Sequence, residues 1–162
     1  MTMGKTEVLN FLEQHNIPFE IVEHEAVFTM AEMEQLHLEG TPDVAKNLFA
    51  RDAKKHNYYL ITHREDKYIS LKEFGMQISG KGLKLASETD LEKFIGLKPG
   101  SVSPLGILND DSKSVKVLLD EDFRGGRIGL HPNENTATVF MSVDDLIKII
   151  EEHGNTVEFV KF

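Results

Sequence analysis

The chain has 162 residues and a formal net charge of −9, with no cysteine and 40% hydrophobic residues. This length and hydrophobic content predict one domain over residues 1–162 and argue against intrinsic disorder, while the lack of cysteine excludes disulfides, thiolate catalysis and zinc–cysteine sites. No apolar run approaches the roughly 20 residues that a membrane span needs, so we expect a cytoplasmic protein with no membrane partner.

The N-terminal part of the chain predicts two helices separated by a strand. Apolar residues at helical spacing predict the first helix over Thr6–His15, and alternation of apolar and polar residues predicts a strand over Pro18–His24. A capping box over Thr29–Glu32 predicts the start of a second helix, which Gly40 would end.

From residue 45 onward the pattern becomes rich in short strands. A helical turn is predicted over Ser70–Phe74 and a loop over Gly75–Gly82. Two helices with serine N-caps and glycine stops are predicted from Ser87 to Gly96 and from Ser142 to Gly154. Helices and strands mix without a regular βαβ rhythm, which favours an α+β fold with a mixed, largely antiparallel sheet. The predicted strands cover 45–50, 58–62, 68–69, 103–108, 115–119, 127–130, 136–141 and 156–162.

The charge is distributed unevenly along the chain. Residues 1–45 hold one base and nine acids, residues 46–84 hold nine bases and four acids, and residues 85–162 hold eight bases and fourteen acids. A polyanion responds to charges within about a Debye length, roughly 8 Å at physiological salt, so the local excess of bases matters more than the total. The central segment is therefore a candidate phosphate-binding surface, and a solvated mixed surface is the alternative.

The common catalytic and cofactor motifs are missing from the sequence. It has no P-loop, no dinucleotide-binding glycine motif, no serine-hydrolase elbow and no zinc-protease motif. Its seven histidines show no pair at metal-ligand spacing on one predicted element. We therefore expect neither a metal nor another cofactor.

The first predicted strand beyond residue 44 has unusual chemistry. In it, Lys46 shares a face with Leu48 and Ala50. Asn47 shares the opposite face with Phe49. A lysine beside apolar neighbours suits a phosphate or a developing oxyanion in a partly dry cleft, and the alternative is a charge that protects an edge strand from aggregation.

Two later segments are rich in glycine. Lys98–Gly106 also holds two prolines and two serines, so its backbone N–H groups could line a ligand pocket, with an ordinary connection as the alternative. Gly125–Thr138 has glycines within a predicted strand, which indicates that the backbone approaches another group closely. His131 in that segment is either a pocket residue or a hydrogen-bonded loop residue.

These three segments together resemble the YbaK/prolyl-tRNA-synthetase-associated editing domains, with the best match to the free-standing branch called PrdX or ProXp-ala. The resemblance extends over nearly the whole chain and implies a YbaK-like α+β fold on a curved, mixed sheet with flanking helices. It also implies hydrolysis of tRNA charged with the wrong amino acid, in this branch Ala-tRNA(Pro). The matching motifs are Lys46-Asn47-Leu48-Phe49 with Arg51-Asp52, Gly100-x-x-x-Pro104, and Gly129-x-His131-Pro132-x-x-Asn135-Thr136.

The resemblance also implies roles for individual residues. Lys46 would meet the acceptor end of tRNA(Pro), and Asn47 would help to fix the terminal adenosine or the ester. Prolyl-tRNA synthetase is a further candidate partner. The candidate catalytic residues are Lys46, Asn47, Gly100 and His131. The candidate substrate-binding residues are Ser101, Val102, Ser103, Pro104, Gly129 and Asn135, with Lys81 and Lys84 added from the charge distribution for the acceptor-stem phosphates.

An aminoacyl ester is already activated, so its hydrolysis needs an oriented water and a stabilised oxyanion rather than a strong nucleophile. The base is His131, a ribose hydroxyl of the substrate or a backbone carbonyl, and the absence of a visible catalytic triad favours the ribose hydroxyl. Steric exclusion of proline would select alanine. Two alternatives remain: the same scaffold acting on Cys- or Ser-charged tRNA, and a non-catalytic module that binds tRNA, a nucleotide or an amino acid.

Overall fold

The computed structural model describes residues 2–26, 43–79 and 82–162, so the helix predicted from Thr29 to Gly40 and the candidate residue Lys81 lie outside the described residues. No helix in the described ranges is long and apolar enough to cross a membrane. The helices are α1 Lys5–Gln14, α2 Leu71–Ser79, α3 Glu88–Ile95 and α4 Val143–His153, with 3-10 helices at Pro104–Asn109 and Glu121–Phe123. The strands are β1 Glu20–Glu23, β2 Ala45–Arg51, β3 Tyr58–Arg64, β4 Lys84–Leu85, β5 Lys116–Asp120, β6 Arg127–Leu130, β7 Ala137–Ser142 and β8 Val157–Val160.

The described strands form two sheets. The smaller sheet has the order β1-β7-β6 and is antiparallel throughout. The larger sheet has the order β4-β2-β3-β5-β8, in which β4, β2 and β3 are antiparallel while β5 pairs parallel with both β3 and β8. The predicted α+β class with mixed, largely antiparallel strands is confirmed.

Both faces of the larger sheet are covered by apolar side chains. One face carries Phe49 and Leu60 and belongs to the main core, which also includes buried residues of α1, α3 and α4. The other face carries Ala50 and Ile61 and packs with Phe74 of α2 in a second core. Burial on both faces explains why β3 reads as a nearly continuous run of buried residues.

Two helix predictions are confirmed at the level of their caps. Ser87 Oγ accepts a hydrogen bond from the backbone N–H of Asp90, and α3 ends at Gly96 in the left-handed conformation. Ser142 Oγ accepts from Asp145 N in the same way, and α4 ends at left-handed Gly154. These signals are local, which is why the sequence reveals them.

Three local predictions are wrong. The stretch 103–108 is not a strand, because Ser103 Oγ caps the N–H of Leu105 and opens the 3-10 helix that starts at Pro104. Residues 68–69 form no strand, and Tyr68 is 93% exposed. Gly75 lies within α2 rather than in a loop, since packing of that helix on the second core outweighs the low helix propensity of glycine.

Candidate active site

The two sheets meet just before β2 begins. Val44 forms an isolated parallel bridge with Gly129 of β6. A Cβ atom at Gly129 would lie 2.8 Å from Cε1 of Phe140 and 3.0 Å from Cγ2 of Val44, so the absence of a side chain allows this approach. The expected close approach of the backbone is confirmed, and the approaching groups are protein side chains. Contact between Gly129 and a substrate stays a prediction.

The bridge brings the first and third predicted segments together. Because it is parallel, β2 and β6 leave it in the same direction, and Lys46 and His131 each follow it by two residues. We call the region formed by Val44, Lys46, Asn47, Gly129 and His131 the sheet junction.

Lys46 and Asn47 present different chemistry on opposite faces of β2. Lys46 is exposed and lies opposite His63 of β3, on the face of the second core. Asn47 is half-buried on the face of the main core, and its Oδ1 accepts a hydrogen bond of 2.7 Å from Thr62 Oγ1. The predicted division of β2 into these two faces is confirmed.

One edge of β2 lacks a strand partner near Lys46. The neighbouring β4 pairs only with Ala50 and Arg51, whereas the other edge of β2 pairs with β3 along its whole length. Within the described residues, the backbone at Lys46 and Asn47 is therefore paired on one side only. An open strand edge offers N–H and C=O groups to an extended ligand.

His131 is half-buried, and its ring is held in one orientation. Its Nδ1 lies 3.0 Å from the carbonyl oxygen of Ala137. A carbonyl only accepts, so Nδ1 carries the proton and Nε2 of the neutral ring keeps a lone pair. Burial lowers the pKa of His131, and the nearby His24 lowers it further against the opposing hydrogen bond. The ring is thus an uncharged hydrogen-bond acceptor at neutral pH.

His24 is a neighbour of His131 that sequence reasoning missed. The two ring centroids are 6.3 Å apart. The Nδ1 atom of His24 lies 2.8 Å from the carbonyl oxygen of Glu25, and its Nε2 lies 2.9 Å from Thr138 Oγ1. The signal that could have found it is the pairing of β1 with β7, which aligns Glu23 with Ala137, but this pairing is long-range.

The Gly100–Pro104 loop has a fixed backbone. Gly100 is in the left-handed conformation with φ 88°, and Ser101 N donates to Lys98 O at 3.0 Å. Ser103 is fully buried and its Oγ serves as the cap of the 3-10 helix. The N–H groups of Val102 and Ser103 have no hydrogen-bond partner among the described residues. These two N–H groups are therefore open to a ligand within the described part of the chain, and the contact of this loop with a substrate stays a prediction.

The remaining candidate residues are more dispersed. No hydrogen bond in the described part of the chain links the Gly100–Pro104 loop to Lys46 or His131. Lys84 lies in β4 opposite Arg51, at about 3.3 Å per residue some 17 Å along β2 from Lys46. Asn135 is half-buried in the turn between β6 and β7.

The site carries no recognisable metal centre. In residues 2–26, 43–79 and 82–162 there is no group of three His, Asp or Glu side chains placed to hold a metal ion. The described groups instead comprise a lysine, an amide, oriented imidazoles and backbone N–H groups. Such groups can bind an anion, accept a hydrogen bond and stabilise an oxyanion.

A protein-family model supports this combination of segments. The model described as an aminoacyl-tRNA editing domain matches residues 24–149 of the chain. This range begins at His24 and contains all three predicted segments.

Known proteins resemble the chain over nearly its full length. The prolyl-tRNA editing protein ProX of Acetoanaerobium sticklandii is 39% identical over 98% of this chain and 97% of its own length. The prolyl-tRNA synthetase associated domain-containing protein 1 of Mus musculus is 36% identical over 99% of each chain. A solved structure described provisionally as a trans-editing enzyme for prolyl-tRNA synthetase has a TM-score of 0.70 at 20% identity, covering 100% of this chain and 99% of its own, which is a likeness of fold.

Proposed function

This chain belongs to the aminoacyl-tRNA editing domain family, and we propose that it removes alanine from mischarged Ala-tRNA(Pro). Aminoacyl-tRNA hydrolysis is the activity of editing proteins, and the names of its relatives support a prolyl-tRNA substrate. The observation that carries the proposal is the sheet junction, where an exposed lysine and a neutral, oriented imidazole each follow one bridge by two residues.

The acceptor end of the tRNA binds at the start of β2. Lys46 contacts a phosphate of the unpaired 3′ end, because an exposed ammonium group on an open strand edge attracts an anion without having to be desolvated first. Asn47 contributes its amide from the opposite face to the terminal adenosine or the ester. The acceptor stem then continues towards Lys84 of β4, which is exposed and lies opposite Arg51 at the far end of β2. Lys81, which lies outside the described residues, is assigned to the same phosphates from the charge distribution alone.

Hydrolysis adds one water molecule to the ester. The water oxygen bonds to the carbonyl carbon, the bond from that carbon to the ribose oxygen breaks, and free alanine and a restored ribose hydroxyl result. Main-chain N–H groups of the Gly100–Pro104 loop, among them those of Val102 and Ser103, stabilise the oxyanion, and each such donor contributes about 2.7–4 kcal/mol when it is aimed at developing charge. Nε2 of His131 accepts a hydrogen bond from the water, while the neighbouring ribose hydroxyl takes part in the proton transfer.

Selection against proline depends on the size of the pocket. A hydrophobic pocket gains only about 1–3 kcal/mol for each methylene it recognises, so attraction alone discriminates weakly. A pocket too small for the proline ring excludes the correctly charged tRNA by steric clash, while alanine fits. Ser101, Pro104, Gly129 and Asn135 are the further residues we assign to this pocket.

The test is a single-turnover deacylation assay with Ala-, Cys-, Ser- and Pro-charged tRNA(Pro). We expect rapid release of alanine and much slower release of proline. Replacing Lys46 by alanine should lower the release of alanine at subsaturating protein and reduce the dependence of binding on salt concentration. The matched control is Lys148→Ala, which removes an exposed lysine from α4.

Each other outcome has a defined meaning. Faster release of cysteine or serine than of alanine would show that tRNA charged with that amino acid is the substrate. Binding of tRNA without release of any amino acid would contradict hydrolysis altogether. Full activity of Lys46→Ala would remove the proposed role of that lysine. Repeating the assay with prolyl-tRNA synthetase added tests whether the synthetase is a partner, since a partner should change the rate at low tRNA concentration.

A further inference from the structure

Residues 2–5, which we call the N-terminal strap, are hydrogen-bonded to two distant parts of the chain. Met3 N donates to Asn109 Oδ1 at 2.7 Å, and Met3 O accepts from Asn133 Nδ2 at 2.9 Å. Lys5 N donates to Glu134 Oε2 at 2.7 Å. The main chain of the strap is therefore held from both sides.

One side of this contact leads to the Gly100–Pro104 loop. Asn109 is the last residue of the 3-10 helix that begins at Pro104. Its Nδ2 also donates to Ile95 O at 3.0 Å, which ties this helix to the end of α3. A Cβ atom at Gly96 would lie 2.8 Å from Cγ2 of Thr2, so the strap is pressed closely against this turn.

The other side leads to His131. Asn133 follows His131 by two residues, has a left-handed backbone with φ 63° and is only 5% exposed. Its Oδ1 is buried without a hydrogen-bond partner among the described residues, whereas its Nδ2 is bonded to Met3. A buried acceptor without a partner lowers the stability of the folded chain. The favourable contribution of the Asn133 side chain is therefore its hydrogen bond to Met3.

We infer that the N-terminal strap, through Asn133, sets the separation of the His131 turn from the Gly100–Pro104 loop and so fixes the width of the aminoacyl pocket. Asn133 is then a positioning residue for the choice between alanine and proline. This inference rests on the proposed function, in which these two segments border the bound amino acid. A small pocket rejects proline only as long as its walls cannot move apart. The strap is hydrogen-bonded to Asn109, at the end of the 3-10 helix that follows the loop, and to Asn133, two residues beyond His131.

The variant that tests this is Asn133→Gly. Glycine adopts φ 63° without strain, so the turn keeps its backbone while the bond to Met3 is lost. We expect the backbone amide NMR signals of Val102 and Ser103 to shift. We also expect the ratio of alanine release to proline release to fall about tenfold, within the range known for pockets that discriminate by one small group.

The matched control is Asn16→Gly, which removes an exposed asparagine with φ 55° after α1 and should change neither readout. A second variant, Asn109→Ala, should reproduce the fall in selectivity. In the double variant with Asn133→Gly, the ratio of alanine release to proline release should fall little further than in either single variant, because both substitutions act through Met3.

Unmoved signals of Val102 and Ser103 together with an unchanged release ratio in Asn133→Gly would overturn the inference, as would an equal effect in Asn16→Gly. A wild-type protein that releases no amino acid from any charged tRNA would instead refute the proposed function. The NMR signals would still decide whether the strap couples the two segments.

Discussion

The two sides of the sheet junction hold their polar groups in different ways. On the histidine side, His131 is bonded to Ala137 O, and both ring nitrogens of His24 lie within hydrogen-bond distance of a partner. On the lysine side, Lys46 is exposed and forms no ion pair with any described residue. The buried Nε2 of His63, opposite Lys46, has no hydrogen-bond partner in the part of the chain that the structure describes.

This difference matches the two tasks of an editing site. A group that orients a reacting water must already be in position, because reorganisation during the reaction would cost rate. A group that holds a phosphate must bind and then release it, and an exposed ammonium does so through screened, reversible attraction. In the proposed function, the histidine side therefore takes part in the chemistry and the lysine side in binding.

The largest effect is expected from the histidine side. His131→Gln removes the oriented lone pair and should lower the single-turnover rate at saturating protein about 100-fold, the lower end of what a positioned acid–base group contributes. Thermal stability should change little by comparison. The control is His56→Gln, at an exposed position in the β2–β3 turn. If the single-turnover rate fell by less than about threefold, a group other than His131 would have to orient the water.

The next effect concerns the contact between the two sides. In Gly129→Ala the new methyl group must displace Phe140 and Val44, which should lower the free energy of unfolding by about 1–3 kcal/mol. Urea denaturation measures this change. Gly126→Ala is the control, because its Cβ would meet only Phe123 O at an ordinary distance of 3.5 Å. Equal stability of the two variants would contradict a tightly packed junction.

A smaller effect should appear in the pH dependence of stability. Burial lowers the pKa of both His63 and His131 below the usual value of 6.5, so the unfolded chain binds more protons than the folded chain near that pH. Their contribution to stability is complete above pH 6.5 and is lost as the pH falls towards the lowered values. Each unit of pKa difference corresponds to about 1.4 kcal/mol.

Urea denaturation between about pH 5 and pH 8 checks this expectation. The free energy of unfolding should decrease as the pH falls, and His63→Gln should flatten part of the curve. A rise in stability on acidification across this range would show that the two rings gain rather than lose favourable contacts when protonated.

The smallest effect should separate the two histidines. Burial is the main cause of the lowered pKa of His63, and the charge of Lys46 adds to it. Lys46→Met should therefore raise the pKa of His63, whereas that of His131 should stay the same because Lys46 is not among its perturbing groups. NMR titration of the ring protons measures both values, and a parallel shift of the two would mean that the sides are electrostatically coupled.

The sequence predictions that are confirmed depend on signals between residues close together in the chain. The serine caps at Ser87 and Ser142 act within three residues, and the alternation in β2 separates Lys46 from Asn47 without any knowledge of the neighbouring strands. The same local reasoning made the stretch 103–108 a strand, because its apolar content says nothing about the Ser103 cap that starts a 3-10 helix.

Long-range pairing explains what the sequence could not reveal. A bridge between Val44 and Gly129 joins the two sheets, and nothing near either residue specifies the other. His24 joins His131 only through the pairing of β1 with β7. Asn133 looks like an ordinary turn residue until its bond to Met3 is seen.

The N-terminal strap also dictates when the site is completed during synthesis of the chain. Its bonds join Met3 to Asn109 and Asn133, which lie 106 and 130 residues further along the chain, so these contacts form only after both asparagines have been synthesised. Closing such long loops costs entropy before any contact is gained, and folds dominated by distant pairings form slowly. A nascent chain halted before His131 would lack both this histidine and the strap contact from Asn133. The contacts that the strap makes with both segments are therefore complete only after Asn133 has been synthesised.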